Sequence, residues 1–459
     1  MAFQAAGPVP WSPGDPIFDI LNVGDEHQAN HPTRVAALAA RAVRGPWARL
    51  LVVRNRAERF ASGTMPGLGA RWLPGLGNAG HAHANAASRS RQRPVRQGHK
   101  PNAVSQCITN PRTTGASRAR IGADARGSRS GVAILGELKR VPLRTAWWAR
   151  GAHLQTLWPT FFRPRRPPAL RRKRIELEDG DFIDLDLARD ARGPVVLVIH
   201  GLEGDLRSHY AAGMTAALAR AGYRPAFMYL RGRSGEPNRL PRSYHSGATE
   251  DLAAVLDHLA PPPGPPLAAA VGYSLGGNLL LKYLGETRAP RLDAAVAVSV
   301  PFLLRDAMLR LNIGPSRIYR RYLMGRLKRS YRTKFPDPGS SPVDVSLDEL
   351  ADLYDYDDRI TAPLNGFQGA DDYYARCSCR PLLARIDTPT LILHAQDDPF
   401  MFPHTVPRRE ELGAGVRLEL TSGGGHVGFV TGTIPWRPDY WAETRALDWL
   451  RQWVPVSGE

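Results

Sequence analysis

The segment AAAVGYSLGGNLLLKYLGE, residues 268–286, places a serine between glycines. Ser274 is the centre of Gly-Tyr-Ser-Leu-Gly, which matches the G-x-S-x-G pattern of a nucleophilic serine on a sharp turn between a strand and a helix. Glycines stand two residues to either side because side chains there would collide with the strand and the helix. A five-residue pattern is weak alone, and a turn serine without chemistry is the alternative. The assignment therefore depends on finding a base and a group that orients it.

Two downstream segments supply those partners. A nucleophilic serine needs a general base and an acid that orients the base. In enzymes of this type that are built on a parallel sheet, the three residues occur along the chain in the order Ser, then Asp or Glu, then His, and each lies just past the end of a strand. TLILHAQDDPF ends in adjacent acids and LELTSGGGH ends in His426. We predict a triad of Ser274, Asp398 and His426; Asp397 is the second choice, since only one of two adjacent side chains can face the imidazole.

The predicted mechanism also needs donors for the developing oxyanion. One is the backbone N–H of Leu275, the residue after the nucleophile. The other is the Leu202 N–H in VIHGLEGD, residues 198–205, which follows a buried strand. His200 in that loop is interpreted as a brace without a catalytic role. Acyl transfer by this set needs no metal and no organic cofactor, so we expect none.

The elements that must position these groups begin near residue 145. GPVVLVIHG is a short apolar run bounded by glycine and is typical of a strand buried on both faces. Helical and strand patterns then alternate through RPAFMYLRG, GATEDLAAVLDHLA, PPLAAAVGYS and LDAAVAVSVP, and TPTLILHAQDD and VRLELTSGGGH add two late strands. The alternation predicts an α/β fold with a mainly parallel sheet covered on both faces. Active sites of such sheets lie at the carboxyl ends of the strands.

Seven separated motifs give a family resemblance over roughly residues 140–455. GAHLQTLWPTFF, DGDFIDLD, HGLEG, LRGRSGEPNRLPRSYHSGATEDL, GYSLGGN, DDPF and GGGHVGF occur in this order. Together they resemble the YheT-like branch of the α/β-hydrolase fold, the AB hydrolase 4 family of esterases. The resemblance implies a serine hydrolase of carboxylic esters with its triad at Ser274, Asp398 and His426. Arg233 departs from the family, which commonly has a small residue or cysteine there. His245 and Asp251 are left out of the catalytic set.

An insertion, about residues 302–388, separates the fourth predicted strand, LDAAVAVSVP, from the next. Residues 303–335 are predicted to be helical, amphipathic and basic, and we expect a cap over the active site whose apolar face lines an acyl pocket. Six cations lie in this helical stretch: Arg317, Arg320, Arg321, Arg326, Lys328 and Arg329. We favour a solvated helical face over peripheral contact with an anionic membrane.

The charge of the chain is concentrated in its first third. Of the net charge of +18, residues 1–135 carry 18 Lys plus Arg against 6 Asp plus Glu. This segment is rich in Gly, Ala, Ser and Arg and poor in large apolar residues, which predicts a disordered extension preceding a hydrolase domain at 140–459. It has no aromatic interleaving and no binding module, so we expect no nucleic-acid partner.

The remaining sequence features concern location and substrate. No secretory signal is recognised at the N-terminus, and Cys107, Cys377 and Cys379 form no disulfide framework or zinc motif, so we expect reduced thiols in a cytoplasmic protein. The predicted activity is hydrolysis of short- to medium-chain acyl esters, with a small-molecule ester or lipid as substrate. Lipase, phospholipase or thioesterase activity on the same triad, or a non-catalytic binding protein, are the alternatives. The pattern sets neither the substrate nor the oligomeric state.

Overall fold

The computed structural model describes residues 136–188, 192–287, 289–337 and 339–456. The predicted extension at 1–135 lies outside the described residues, as does Cys107. The first described strand begins at Glu137 and pairs with a late strand of the main sheet.

Within the described residues, nine strands form the main sheet. They are β1 (Glu137–Val141), β2 (Leu170–Glu176), β3 (Phe182–Ala188), β4 (Val195–Ile199), β5 (Arg224–Met228), β6 (Leu267–Tyr273), β7 (Leu292–Val298), β8 (Thr390–Ala395) and β9 (Val416–Thr421). Their order is β1-β9-β8-β7-β6-β4-β5-β3-β2. The seven strands from β1 to β5 in that order pair in parallel. At the other edge, β3 pairs antiparallel with β5, and β2 pairs antiparallel with β3. A mainly parallel sheet was predicted, and the antiparallel edge was not.

Helices cover both faces of this sheet. They are α2 (His209–Arg220), α3 (Thr249–Leu259), α4 (Leu275–Glu286) and, at the C-terminus, α10 (Trp441–Trp453). The preceding helix, α1 (Ala152–Phe162), contacts α2. The apolar residues of β4 alternate between the faces: Leu197 and Ile199 pack with α3 and α4, whereas Val196 and Val198 pack with α2 and α10. A strand with both faces buried must be apolar throughout, which explains the run VVLVI.

The antiparallel edge is held by charge pairs. Arg172 lies opposite Asp186 in the register, and Arg174 lies opposite Asp184. The guanidinium groups bind these carboxylates at 2.5 Å and 2.8 Å. Cross-strand pairs of opposite charge stabilise neighbouring strands, so this exposed edge does not require the apolar run of the central strands.

The insertion between β7 and β8 forms a helical cap. Its helices are α5 (Leu304–Leu311), α6 (Arg317–Lys334), α7 (Leu353–Tyr356), α8 (Ala362–Leu364) and α9 (Ala370–Cys377), with a π-helical turn at Asp357–Thr361. The predicted helical stretch at 303–335 is divided in two. The break contains Gly314, whose φ of 56° is left-handed, followed by Pro315, which has no N–H to continue a helix.

A short antiparallel ribbon, β10 (Val430–Ile434) and β11 (Arg437–Tyr440), follows the last strand of the sheet and was not predicted. Over the described part of the chain, no helix combines the length and the apolar character required to cross a bilayer.

Candidate active site

Ser274 occupies a strained turn between β6 and α4. Its backbone has φ 51° and ψ −118°, a conformation that non-glycine residues rarely adopt. The flanking glycines make this turn possible. A Cβ atom on Gly272 would lie 2.4 Å from the carbonyl oxygen of Gly276, and a Cβ atom on Gly276 would lie 2.5 Å from the carbonyl oxygen of His200. The turn thus presents Ser274 at the carboxyl end of the sheet because neither of the two glycines has a side chain.

The structure brings the three predicted triad residues together. Ser274 Oγ lies 3.0 Å from Nε2 of His426, and Nδ1 of the same ring lies 2.9 Å from Oδ2 of Asp398. His426 is 5% exposed and Asp398 4% exposed, so little water competes for these hydrogen bonds. Separations near 3 Å allow a proton to pass from the hydroxyl to the imidazole.

The two adjacent acids have different partners. Asp398 contacts the imidazole, and its Oδ1 also accepts the Phe400 N–H at 2.8 Å. Asp397 Oδ1 instead accepts the Gly425 N–H at 2.9 Å, and burial raises the pKa of Asp397. Asp397 therefore holds the glycine loop before His426, and the geometry favours the first choice of the sequence analysis.

Further contacts that the sequence did not reveal fix the position of His426. The Phe400 ring stacks on the imidazole with centroids 3.9 Å apart and planes 4° from parallel. Thr156 Oγ1 of α1 accepts the His426 N–H at 2.9 Å, and Ser299 Oγ accepts the following N–H of Val427 at 3.0 Å. The only sequence signal for Phe400 was its place in the DDPF motif; nothing local indicated Thr156 or Ser299.

Both predicted oxyanion donors border the cavity that contains Ser274 and His426. Among the described residues, no acceptor is hydrogen-bonded to the N–H of Leu202 or of Leu275. Two amides without an internal acceptor in the cavity that contains Ser274 could donate to an oxyanion there. His200 braces the loop that carries Leu202: burial lowers its pKa to about 4, so the neutral ring donates from Nδ1 to the Gly201 carbonyl at 2.7 Å and accepts the Leu230 N–H.

The cavity has a volume of about 960 Å³ and extends beneath the cap. Its apolar wall comes from buried cap residues: Leu311, Tyr319, Leu323, Leu327, Leu353, Tyr356 and Ile360. Leu202 and Phe400 pack against this same apolar cluster, so it adjoins both the oxyanion loop and the imidazole. A hydrocarbon chain bound here would begin next to Ser274.

A buried ion pair beside the loop that carries Leu202 is contacted from the cap by Ser330. Glu203 follows Leu202 in a left-handed conformation with φ 54°, and its side chain is 2% exposed. Its carboxylate accepts from Arg233 at 3.0 Å, from Ser330 of α6 at 2.7 Å and from Tyr244 at 2.9 Å. Arg233 also donates to Ser330 at 2.7 Å. We call this group the Glu203 latch. The residue that departs from the family pattern thus has a defined partner.

The predicted charge run on α6 is not one uniform solvated face. Arg317 and Arg321 are exposed, but Arg326 is half-buried, lines the cavity and donates to Tyr322 Oη at 3.1 Å. Within the described ranges, no cluster of three or more His, Cys, Asp or Glu side chains is arranged to hold a metal ion.

Comparison with known proteins gives the family. The model for the α/β hydrolase fold matches residues 194–433, just over half of the chain. YheT of Escherichia coli (strain K12), which carries the name of an esterase, is 44% identical over 312 residues, covering 66% of this chain and 92% of YheT. The chain is a YheT-like α/β hydrolase.

More distant relatives of the YheT-like hydrolase carry lipid-related names. Human phospholipase ABHD3 is 32% identical over 314 residues, covering 65% of this chain and 75% of ABHD3. Monoacylglycerol lipase ABHD2 of Danio rerio is 27% identical over 337 residues, covering 67% of this chain and 77% of that protein. The predicted fold and family are confirmed, and the relatives support a hydrolase of the esterase and lipase type.

Proposed function

We propose that this YheT-like hydrolase is a serine esterase that cleaves short- to medium-chain carboxylic esters through a covalent acyl-enzyme. The proposal is carried by the contact of Ser274 Oγ with Nε2 of His426, at 3.0 Å, on a ring whose other nitrogen faces Asp398. The esterase and lipase names of the relatives support the choice of an acyl ester as substrate.

In the acylation step, Ser274 Oγ attacks the ester carbonyl carbon while its proton moves to Nε2 of His426. The Asp398 carboxylate stabilises the imidazolium that forms. The N–H groups of Leu202 and Leu275 donate to the oxyanion of the tetrahedral intermediate. When the intermediate collapses, the bond to the alcohol oxygen breaks, and His426 returns its proton to the leaving alcohol.

In the deacylation step, water replaces the alcohol. His426 removes a proton from water as its oxygen attacks the acyl carbon, and the same two amides hold the second oxyanion. The bond between the acyl group and Ser274 Oγ then breaks, and the proton goes back to that oxygen. The carboxylic acid leaves, and the enzyme returns to its starting state.

Labelling with a fluorophosphonate tests the nucleophile. The wild-type protein is expected to lose hydrolysis of 4-nitrophenyl butanoate in proportion to labelling, and Ser274→Ala is expected neither to label nor to hydrolyse. Ser422→Ala, outside the cavity lining, is the matched control and should label normally. Wild-type protein that does not label would refute the proposal and favour a non-catalytic binding protein. Equal labelling of Ser274→Ala would refute Ser274 as the nucleophile and assign the reaction to another residue.

A substrate panel separates the activities that the same triad can perform. Oxygen esters and thioesters with identical acyl chains distinguish esterase from thioesterase activity, and diacyl phospholipids test the activity named for ABHD3. We expect oxygen esters to be preferred. Faster turnover of thioesters or of diacyl phospholipids would assign one of those activities instead.

A further inference from the structure

The exposed apolar side chains of the described residues are concentrated in three segments. One includes α1 and the residues before it, the second spans the break between α5 and α6, and the third is the ribbon of β10 and β11. Single exposed apolar residues are normal on a protein surface, but a contiguous group marks a place of interaction. The large apolar side chains with the greatest exposure are two at the tip of the ribbon together with Trp147, Leu154, Phe162, Leu309, Ile313 and Ile318.

Side-chain contacts join these three segments. Trp147 Nε1 donates to the Thr433 carbonyl at 2.9 Å, which links the residues before α1 to the ribbon. His153 Nδ1 and Tyr319 Oη lie 2.9 Å apart and their rings are stacked, so the start of α1 lies against the start of α6. The exposed apolar side chains therefore belong to one continuous surface.

The active-site cavity opens at this surface. Ile318 is 55% exposed and also lines the cavity. Leu157 and Thr160 of α1 line it as well, and the exposed Leu154 and Phe162 lie on the same helix. A side chain that is both exposed and part of the cavity wall lies at an opening. Exposed apolar side chains thus border the mouth of the cavity.

The elements around the mouth are also basic. Residues 138–175, which include α1, and residues 307–336, which include α6, contain no Asp or Glu. Arg321 lies one turn after Arg317 and Ile318 on α6, and all three side chains are exposed. No carboxylate of the described residues is ion-paired with Arg317 or Arg321.

Two acids near the break between α5 and α6 have other partners. Oδ1 of Asp306 lies 2.8 Å from Nε2 of His404, and Oδ2 of Asp352 accepts from Asn312 at 2.6 Å. Neither carboxylate therefore neutralises the two exposed arginines of α6. A partner for this surface must combine negative charge with an apolar region, because the surface itself combines cations with exposed apolar side chains.

We infer that this surface docks on a bilayer that contains anionic phospholipid. The apolar side chains would enter the boundary between headgroups and acyl chains, and the guanidinium groups would bind lipid phosphates. Docking would place the mouth of the cavity against the membrane, so that an ester dissolved there reaches Ser274 without crossing water. We call this surface the mouth face, and it consists of Leu154, Phe162, Ile313, Arg317, Ile318 and Arg321.

Other occupants fit these observations less well. Residues 1–135 have a large excess of Lys and Arg over Asp and Glu, so their charge would repel the mouth face. A symmetric dimer through this face would bring the arginines of two copies together. Nucleic acid offers phosphates but no apolar region for Ile313 and Phe162. The solvated helical face favoured from the sequence took no account of the exposed apolar neighbours of Arg317, which only the structure reveals.

Sedimentation with vesicles tests docking without requiring turnover. At low salt, the full-length wild type should bind vesicles of phosphatidylcholine with phosphatidylglycerol about tenfold or more tightly than vesicles of phosphatidylcholine alone. The arginine variant, Arg317→Gln with Arg321→Gln, should weaken binding to the anionic vesicles by about tenfold. The apolar variant, Leu154→Ser with Ile313→Ser, should weaken it by a similar factor of about ten.

The matched control removes the same charge at the other edge of the sheet. Arg385 and Arg409 are exposed on segments that lead into β8 and β9, whereas the cavity lies at the carboxyl ends of the strands. Arg385→Gln with Arg409→Gln should bind both kinds of vesicle as the wild type does. All variants keep residues 1–135, so any vesicle binding by that basic segment is common to them.

Turnover shows whether docking delivers the substrate. For dioctanoylglycerol incorporated in the anionic vesicles, kcat/KM should fall about tenfold in the arginine variant and in the apolar variant. Turnover of soluble 4-nitrophenyl butanoate should stay close to wild type, because none of the four substituted side chains lines the cavity. Equal losses on both esters would assign the effect to the active site and overturn the inference.

The remaining outcomes separate docking from the proposed function. Vesicle binding that is unchanged in both variants would belong to another part of the chain, such as residues 1–135, and would overturn the inference. Loss in the arginine variant alone would show electrostatic attraction without insertion and also overturn it. Self-association of the wild type that the apolar variant abolishes, measured by sedimentation velocity, would make the mouth face an interface between copies instead. Wild-type protein that binds anionic vesicles through the mouth face but hydrolyses neither ester would refute the proposed function and support the docking surface.

Discussion

The carboxyl edge of the sheet and the helical cap meet at one cavity, but they are stabilised in different ways. At the sheet edge, Ser274 directly follows β6, Asp398 lies three residues past the end of β8, and His426 lies five residues past the end of β9; strand pairing fixes the spacing of those three strands. The cap is joined to that edge through side chains such as the Glu203 latch. The contrast indicates that the chemistry is set by backbone register, whereas access and selectivity depend on side-chain packing that can change without moving the triad.

The largest effect is expected at the sheet edge. Asp398→Asn should lower kcat by roughly 10³-fold to 10⁴-fold, because an amide in place of the carboxylate neither holds the reactive tautomer of His426 nor stabilises its cation. Asp397→Asn should retain most of the activity, since its side-chain oxygen can still accept the Gly425 N–H. Steady-state kinetics on one ester compares the two. A greater loss for Asp397→Asn would reverse the assignment.

The second-largest effect is expected at the Arg233–Glu203 ion pair of the Glu203 latch, which joins two loops at the sheet edge and holds Ser330 of the cap. Arg233→Ala should lower the free energy of unfolding by about 3–5 kcal/mol, because it leaves the Glu203 carboxylate buried without its cation. The double variant Arg233→Ala with Glu203→Gln should lose less than the single variant, since no uncompensated charge then remains. Urea unfolding at pH 7 measures both. If the two losses simply add, the ion pair does not couple these residues.

A buried acid gives the cap its own pH dependence. Burial raises the pKa of Asp357 to about 6, and hydrogen bonds from Tyr374 and Thr361 oppose the rise only in part. The folded state therefore binds this proton more tightly than the unfolded state, so the stability contribution is present below the unfolded pKa near 3.8 and is lost as pH rises through about 6.

Asp357→Asn should accordingly increase stability by about 2–3 kcal/mol at pH 8 and change it little at pH 4. Urea unfolding of variant and wild type at the two pH values gives the difference. Asp348→Asn is the control, because its side chain is 91% exposed and should show no such change. A stabilisation that is equal at both pH values would contradict the raised pKa.

The smallest expected effect is on the preference of the enzyme for acyl chain length. Leu327→Trp adds volume to the buried apolar wall of the cavity and should lower kcat/KM for an octanoyl ester by about tenfold while sparing an acetyl ester of the same alcohol. The rate of labelling by a small fluorophosphonate should not change. Leu309→Trp, at an exposed cap position outside the cavity lining, is the control. Equal losses on both esters would place the acyl chain elsewhere.

The central sheet could be predicted from the sequence more completely than the cap or the antiparallel edge. The central strands were located because strands buried on both faces must be apolar. The Ser274 turn was located because its two glycines are required by backbone contacts, Gly272 with the motif itself and Gly276 with the end of β4. The cap was expected, but its break at Gly314 and Pro315 was overlooked. The polar antiparallel edge was missed because β2 is stabilised by cross-strand charge pairs with β3 and lacks an apolar run.

The sequence alone determined the family, and it placed Ser274, Asp398 and His426 of the proposed triad in order, each after its own strand, because these features depend on periodicity and on short motifs. Only the tertiary structure decided that Asp398 and not Asp397 faces His426, that Phe400 stacks on its ring, and that Arg233 pairs with Glu203. These relations depend on the direction of individual side chains after the sheet and the cap have packed, and local sequence does not specify that direction.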